Sequence, residues 1–267
     1  MKNVRNFWIL SGIIVLFNIV AYVFIEGNTL LIISDLLPVV CAALSIMGVA
    51  SVINYLKTFD ITKKVWMLML IGLVFNFVAE LLYFVFEVIQ QRNMDDFFPS
   101  YADPFWIIGF VFFFVSIISM IIYYLRSGMP HGKTQIHLII IFSTIVLAIL
   151  VTNFLLLPIA RDPETSLAQK AVSLFYPITD ISVVCLSLIV MYIVNQFSNR
   201  LFSMPWILIA LGYLFFTASD LIYSYLSWQD DYSAGNFFDI GWNAGYLLIG
   251  LAGIYQFNLM KKIKEER

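Results

Sequence analysis

The chain reads as an all-α polytopic membrane protein with eight transmembrane helices, arranged as a tandem repeat of four plus four. Three observations carry that reading. Hydrophobic residues make up 61% of the 267 positions and charged residues only 12%, with a mean hydropathy of +0.91, far from the usual composition of soluble domains. Eight apolar runs each approach the roughly 20 residues that a helix needs to cross a bilayer core. Landmarks in the third and fourth runs recur at matching spacing in the seventh and eighth.

In order, the runs cover about 7–25, 30–56, 65–90, 104–125, 136–159, 170–197, 206–228 and 238–260. They are too long and too continuously apolar for barrel strands, so helices are the spanning structure. The first run follows Lys2 and Arg5 but lacks a small-residue cleavage site, and a second span follows closely, so it is read as a retained helix. Lys57, Lys63, Lys64, Arg126, Lys133, Arg200, Lys261, Lys262, Lys264 and Arg267 gather with Lys2 and Arg5 on one side. Glu26, Asp95, Asp96, Asp162, Glu164, Asp230 and Asp231 gather on the other. The excess of basic loops predicts both termini in the cytoplasm of a multi-pass cell-membrane protein.

Trp66, Gly72, Glu80 and Tyr83 are matched by Trp206, Gly212, Asp220 and Tyr223, and Asp103, Trp106 and Gly109 by Asp239, Trp242 and Gly245. Asp35 pairs with Asp180 and Asn18 with Asn153. Residues 1–126 therefore form a first repeat, 127–135 a cytoplasmic connector, 136–260 a second repeat and 261–267 a basic tail. Four is even, so the copies share one orientation, and a pseudo-two-fold axis along the membrane normal is expected.

Six carboxylates fall in or beside the spans: Asp35, Glu80, Asp103, Asp180, Asp220 and Asp239. An ionisable residue at a helix centre costs roughly 2.5–3.5 kcal/mol on insertion scales, so these groups are expected to face the bundle interior or a cavity. Topology places all six in the outer half of the bilayer. Asp103 and Asp239 precede helix starts, where a structural N-cap is the simpler expectation. Glu80 and Asp220 have no such role and are the first candidates for a site. Pro38 and Pro177 beside Asp35 and Asp180 predict local unwinding that exposes polar backbone.

Oxygen ligands without His or Cys nearby suit a hard divalent cation such as Ca²⁺ or Mg²⁺, with Glu80 and Asp220 as candidate metal ligands. The alternative is an organic cation in an aromatic cage drawn from Tyr83, Tyr101, Trp106, Tyr176, Tyr223, Trp242 and Tyr246, although aromatic residues are common in membrane belts. Other functions are disfavoured. A net charge of −2 offers no basic footprint for nucleic acid, and Cys41 and Cys185 read as small core residues. No lysine sits at the centre of a span, no His or Lys base accompanies the helical serines, and no phosphate-cradling loop occurs. Enzymatic activity is not expected.

PSYADPFWIIGF, following WMLMLIGLVFNFVAELLYFVFE, resembles the PS-x-AD-x-x-Y-x-x-GY segment in multi-span N-terminal modules of bacterial GGDEF/EAL cyclic-di-GMP enzymes and sensor histidine kinases. FYPITDISVVCLSL is similar to the YP-x-x-D helix of those modules, and YSAGNFFDIGWNAGYLLIGLAGI to their final span. The resemblance covers about residues 30–260 and implies a membrane input module for signalling, with Asp103, Asp180, Asp220 and Asp239 at the acidic positions of that family. Glu80 stands where Asp is more frequent there, and Asp35 has no secure counterpart. Beyond the eighth run only the basic tail follows, so a separate cytoplasmic signalling partner, or a longer parent chain, is expected to supply output. The resulting expectation is a stand-alone receptor or sensor that binds a small extracytoplasmic ligand or cation and transmits through its last helix. A secondary transporter of a cation or amine, and a ligand-free scaffold, are the competing readings.

Overall fold

Eight helices among the described residues are long and apolar enough to cross a membrane. The computed structural model describes residues 2–56, 60–92, 98–196, 202–229 and 231–265. Of the loop charges used to orient the chain, Lys57, Asp95, Asp96, Arg200, Asp230 and Arg267 lie outside these residues, as does the Lys2 side chain.

The helices are α1 (Lys2–Phe24), α2 (Gly27–Tyr55), α3 (Ile61–Phe84), α4 (Asp103–Arg126), α5 (Thr134–Val151), α6 (Leu167–Val194), α7 (Met204–Trp228) and α8 (Ile240–Glu265). A π turn over Val85–Ile89 extends α3, and another over Thr152–Leu156 extends α5 into a last helical segment, Leu157–Arg161. Pro158 accounts for the second: it has no N–H to close the α-helical bond onto Phe154, so the ladder widens ahead of it. Helices α2 and α6 run unbroken through Pro38 and Pro177. The expected unwinding is therefore absent from both. Each proline instead removes the N–H partner of a carbonyl one turn earlier, at Ser34 and Ser173.

Six helices close a ring in which α2, α3, α4, α6, α7 and α8 each pack on their neighbours and α8 returns to α2, while α1 leans mainly on α8 and α5 on α6. Lipid tails are as apolar as leucine, so close packing rather than water exclusion holds such helices together. Glycines set the approach. A Cβ on Gly72 would lie 2.9 Å from the Gly109 carbonyl oxygen, and one on Gly245 would lie 3.0 Å from the Gly212 carbonyl oxygen. Thus α3 meets α4 as α7 meets α8, with the matched residues in contact. Trp66 and Trp206 stand together at a ring separation of 6.1 Å.

The two outer helices differ. Asn18 of α1 is fully buried and accepts from Asn243 Nδ2 of α8 at 2.8 Å, whereas its sequence counterpart Asn153 is exposed and bonds its own helix at the Ile149 carbonyl. Helix α5 presents Leu138, Phe142, Ile145 and Phe154 outward, which suits a lipid-facing helix. A packing prediction follows from the glycines. Gly212→Ala, whose Cβ would meet Ile249 Cγ1 at 3.0 Å and the Gly245 carbonyl at 3.1 Å, should cost about 1–3 kcal/mol of unfolding free energy. Gly12→Ala on α1, with nothing within 4 Å, should be neutral in the same detergent unfolding assay.

Candidate functional site

The carboxylates gather at the end of the ring opposite the chain termini, in a cavity of about 130 Å³ between α2, α3, α4, α6, α7 and α8. Asp35, Glu80, Asp103, Asp220 and Asp239 line it, with Tyr83, Trp106, Tyr176, Tyr223, Trp242 and Tyr246. Eleven of the thirteen side chains expected from the sequence therefore share one space. Asp180 is buried beside the wall, its carboxyl against that of Asp220. Tyr101 is 64% exposed and stacks on Phe86 instead, so it does not belong to the cage. Among the described residues, no lysine, arginine or histidine lines the cavity.

Glu80 and Asp220 sit alike on α3 and α7. Trp106 Nε1 of α4 donates to Glu80 Oε1 at 3.2 Å, and Trp242 Nε1 of α8 donates to Asp220 Oδ1 at 2.7 Å. Tyr83 and Tyr223 flank the two indoles at ring separations of 5.8 and 5.7 Å. The hydroxyl of Tyr246 adds a bond to Glu80 Oε1 at 2.7 Å; Asn76 Oδ1 lies at 3.4 Å from it, and a hydroxyl has one proton to give, so the shorter bond takes it. Glu80 thus takes both donors on one oxygen and keeps the other, while Asp220 takes one donor on Oδ1 and also meets the Asp180 carboxyl.

The remaining acids divide by function. Asp103 accepts from the Ser100 backbone N–H at 2.5 Å and its hydroxyl at 2.8 Å on Oδ2, and from Tyr176 at 2.7 Å on Oδ1. The N-cap of α4 is Ala102. The expected capping role is therefore corrected: Asp103 ties its preceding loop down and joins α4 to α6. Asp239 ends a short 3₁₀ turn, Phe237–Asp239, and accepts from Gly235 N–H at 3.0 Å and Tyr232 at 3.3 Å. It too anchors a loop. Burial first, then the Asp239 carboxyl, hold the Tyr232 hydroxyl well above the ordinary tyrosine range, so it remains a donor.

Asp35 and Asp180 have the opposite problem. The Ser34 hydroxyl, 3.5 Å from Asp35 Oδ1, donates to the Leu31 carbonyl at 2.9 Å. Asp35 Oδ2 and both oxygens of Asp180 are buried without a donor. Instead each faces another acid: the Asp35 carboxyl reaches that of Glu87, and Asp180 that of Asp220. Two acceptors in contact need a proton or a cation between them. Uncompensated, such a buried group costs several kcal/mol.

Sequence reasoning missed Glu87, Asn76, Ser34 and Tyr232. Glu87 lies seven residues after Glu80, two helical turns along α3, a spacing that marks one face. Tyr232 gives no comparable sign, since its position depends on how the α7–α8 loop folds back.

No set of three or more His, Cys, Asp or Glu side chains gathers as a metal cage among the described residues, and Glu80 and Asp220 are each held by an indole on one oxygen. The geometry suits an ammonium group better than Ca²⁺ or Mg²⁺: unshared carboxylate oxygens supply the charge, and Trp106, Trp242 and the tyrosines supply π faces. Compared with family models, with curated proteins and with solved structures, the chain has no significant match.

Proposed function

We propose that this chain is a membrane receptor module that binds a small organic cation in the carboxylate cavity and conveys occupancy along α8. The observation that carries the reading is a cavity lined by five carboxyl groups and a ring of aromatic side chains with no basic residue. Protein–protein hydrogen bonds satisfy Asp103 and Asp239, but not Asp35 or Asp180. Of the latter two only Asp35 lines the cavity, where a bound cation supplies what it lacks.

Helix α8 is the natural output element. It carries Trp242 and Tyr246 in the cavity and continues unbroken to Lys261, Lys262, Lys264 and Glu265. A ligand that draws Trp242 and Tyr246 inward shifts the helix as a rod, provided it binds the two positions of α8 unequally. The resemblance to signalling input modules agrees with that role, and a cytoplasmic partner would read the tail. The side bearing Lys63, Lys64, Arg126 and Lys133 as well as the tail is assigned to the cytoplasm by the positive-inside rule, which makes the cavity extracytoplasmic in a cell membrane. We also read the recurring contacts, Trp106 to Glu80 and Trp242 to Asp220, as descending from a duplication.

Transport fits less well. Toward the termini the bundle is filled by Trp66, Met69, Leu73, Phe113, Ile117, Ile209 and Tyr213, all essentially inaccessible. That packing is predominantly apolar among the described residues.

Thermal unfolding of the purified full chain in detergent tests the reading, with primary alkylamines, tetramethylammonium, CaCl₂ and MgCl₂ as probes. An organic cation at saturating concentration should raise the Tm by several degrees, while the divalent salts do no more than NaCl of equal ionic strength. A Tm indifferent to every amine contradicts the proposal. Amine uptake into proteoliposomes against a gradient would replace the receptor with a carrier.

A further inference from the structure

A second cavity, of about 390 Å³, adjoins the first on the side of the α5–α6 loop. Phe98, Tyr176, Tyr223, Ser224 and Tyr232 line both, so the two spaces are separated by a partition made mostly of aromatic rings. Asp162 and Glu164 line the outer space, and no basic residue does. Trp228 Nε1 donates to Asp162 Oδ2 at 3.2 Å, and the Glu164 backbone N–H donates to Asp162 Oδ1 at 2.9 Å. These two bonds, the backbone one first, hold the Asp162 carboxyl below its ordinary range, so it is an anion at neutral pH. Lys170 lies near Asp162 but does not line the space.

The arrangement is therefore linear: an inner anionic pole, the aromatic partition and an outer anionic pole, so a chain that joins the poles has its passage between the rings of that partition. Both spaces are acidic: five carboxyl-bearing residues line the inner one and two the outer, with no basic residue among the described lining of either. A monocation meets only one of them. A molecule with positive charges at both ends of an alkyl chain meets both poles, and its methylenes suit the ring faces of the passage.

We propose that the ligand class is a linear diamine or polyamine, one ammonium held between Glu80 and Asp220 and another in the outer cavity at Asp162 and Glu164. The chain between them runs past Tyr176, Tyr223 and Tyr232. This inference rests on the organic-cation reading above and specifies its ligand.

The test compares linear α,ω-diamines with n-alkylamines of equal length by isothermal titration calorimetry on the full chain in detergent. At the length that spans the passage, the diamine should bind about tenfold or more tightly than the monoamine, the value of one charge-assisted contact. Glu164→Gln, at an exposed side chain, and separately Asp162→Asn should remove most of that advantage and leave the monoamine Kd unchanged. Monoamines that bind as tightly as diamines overturn this inference and leave the cation receptor standing. An advantage that survives both substitutions overturns the outer pole. If no amine binds, both readings fall.

Discussion

Gly48→Leu should disrupt the bundle rather than merely weaken it. A Cβ at Gly48 would run into the backbone of Gly250, and one at Gly253 would lie 2.5 Å from the Gly48 carbonyl oxygen. Backbone has no alternative rotamer, so relief requires α2 and α8 to separate. The same helices hold Asp35, Trp242 and Tyr246, so separation also opens the cavity. Overpacking of a close helix contact typically costs 1–3 kcal/mol and more when only backbone can yield; here about 3 kcal/mol or greater is expected. Detergent-solubilised Gly48→Leu should run as aggregate or as an expanded species in size-exclusion chromatography, with Gly48→Ala intermediate. A monodisperse Gly48→Leu protein with wild-type Tm would show that α2 and α8 do not meet as described.

Glu80→Gln combined with Asp220→Asn should abolish amine binding while preserving or raising stability. Each side-chain amide keeps an oxygen to accept from Trp106 or Trp242, so the bonds that position the indoles survive. What disappears is negative charge. Hydrogen bonds to charged groups contribute about 1.5–3 kcal/mol each, so losing two weakens binding by roughly a hundredfold or more. Stability moves the other way, because isosteric neutral groups relieve buried carboxyls of desolvation and mutual repulsion. Asp180→Asn alone, which gives Asp220 an N–H donor in place of an opposing acceptor, should likewise raise the Tm. The opposite signs separate a ligand site from a scaffold: a purely structural cluster would lose stability on the same substitutions.

The spans were legible because a bilayer demands long apolar runs, and that requirement is local in sequence. Glu80 and Asp220 were legible because acids inside such runs are expensive and recur at one spacing. Trp106, Tyr176, Trp242 and Tyr246 were named as candidates, but which acid each would meet was not legible. Tyr246 reaches Glu80 across 166 positions and Tyr176 reaches Asp103 across 73, and only the order of helices around the ring brings them together. Asp103 and Asp239 looked like caps because Asp before an apolar helix usually is one; here Ser100 and the α7–α8 loop compete for the carboxylates and win. Glu87, in the π turn at Val85–Ile89, carried a signal that went unused, its spacing of two helical turns from Glu80. Asn153 shows the limit of sequence matching, since its counterpart position is buried only in α1.

The central claim is that an organic cation occupies the space between Glu80 and Asp220. Anomalous scattering from crystals of the full chain grown with a bromine-labelled primary alkylamine tests it most directly. The amine should place its bromine within the ring of Trp106, Trp242 and Tyr246 or in the aromatic passage beyond, with its nitrogen on the carboxylates. Bromine found only on the lipid-facing surface, at an amine concentration that saturates the thermal shift, would contradict it.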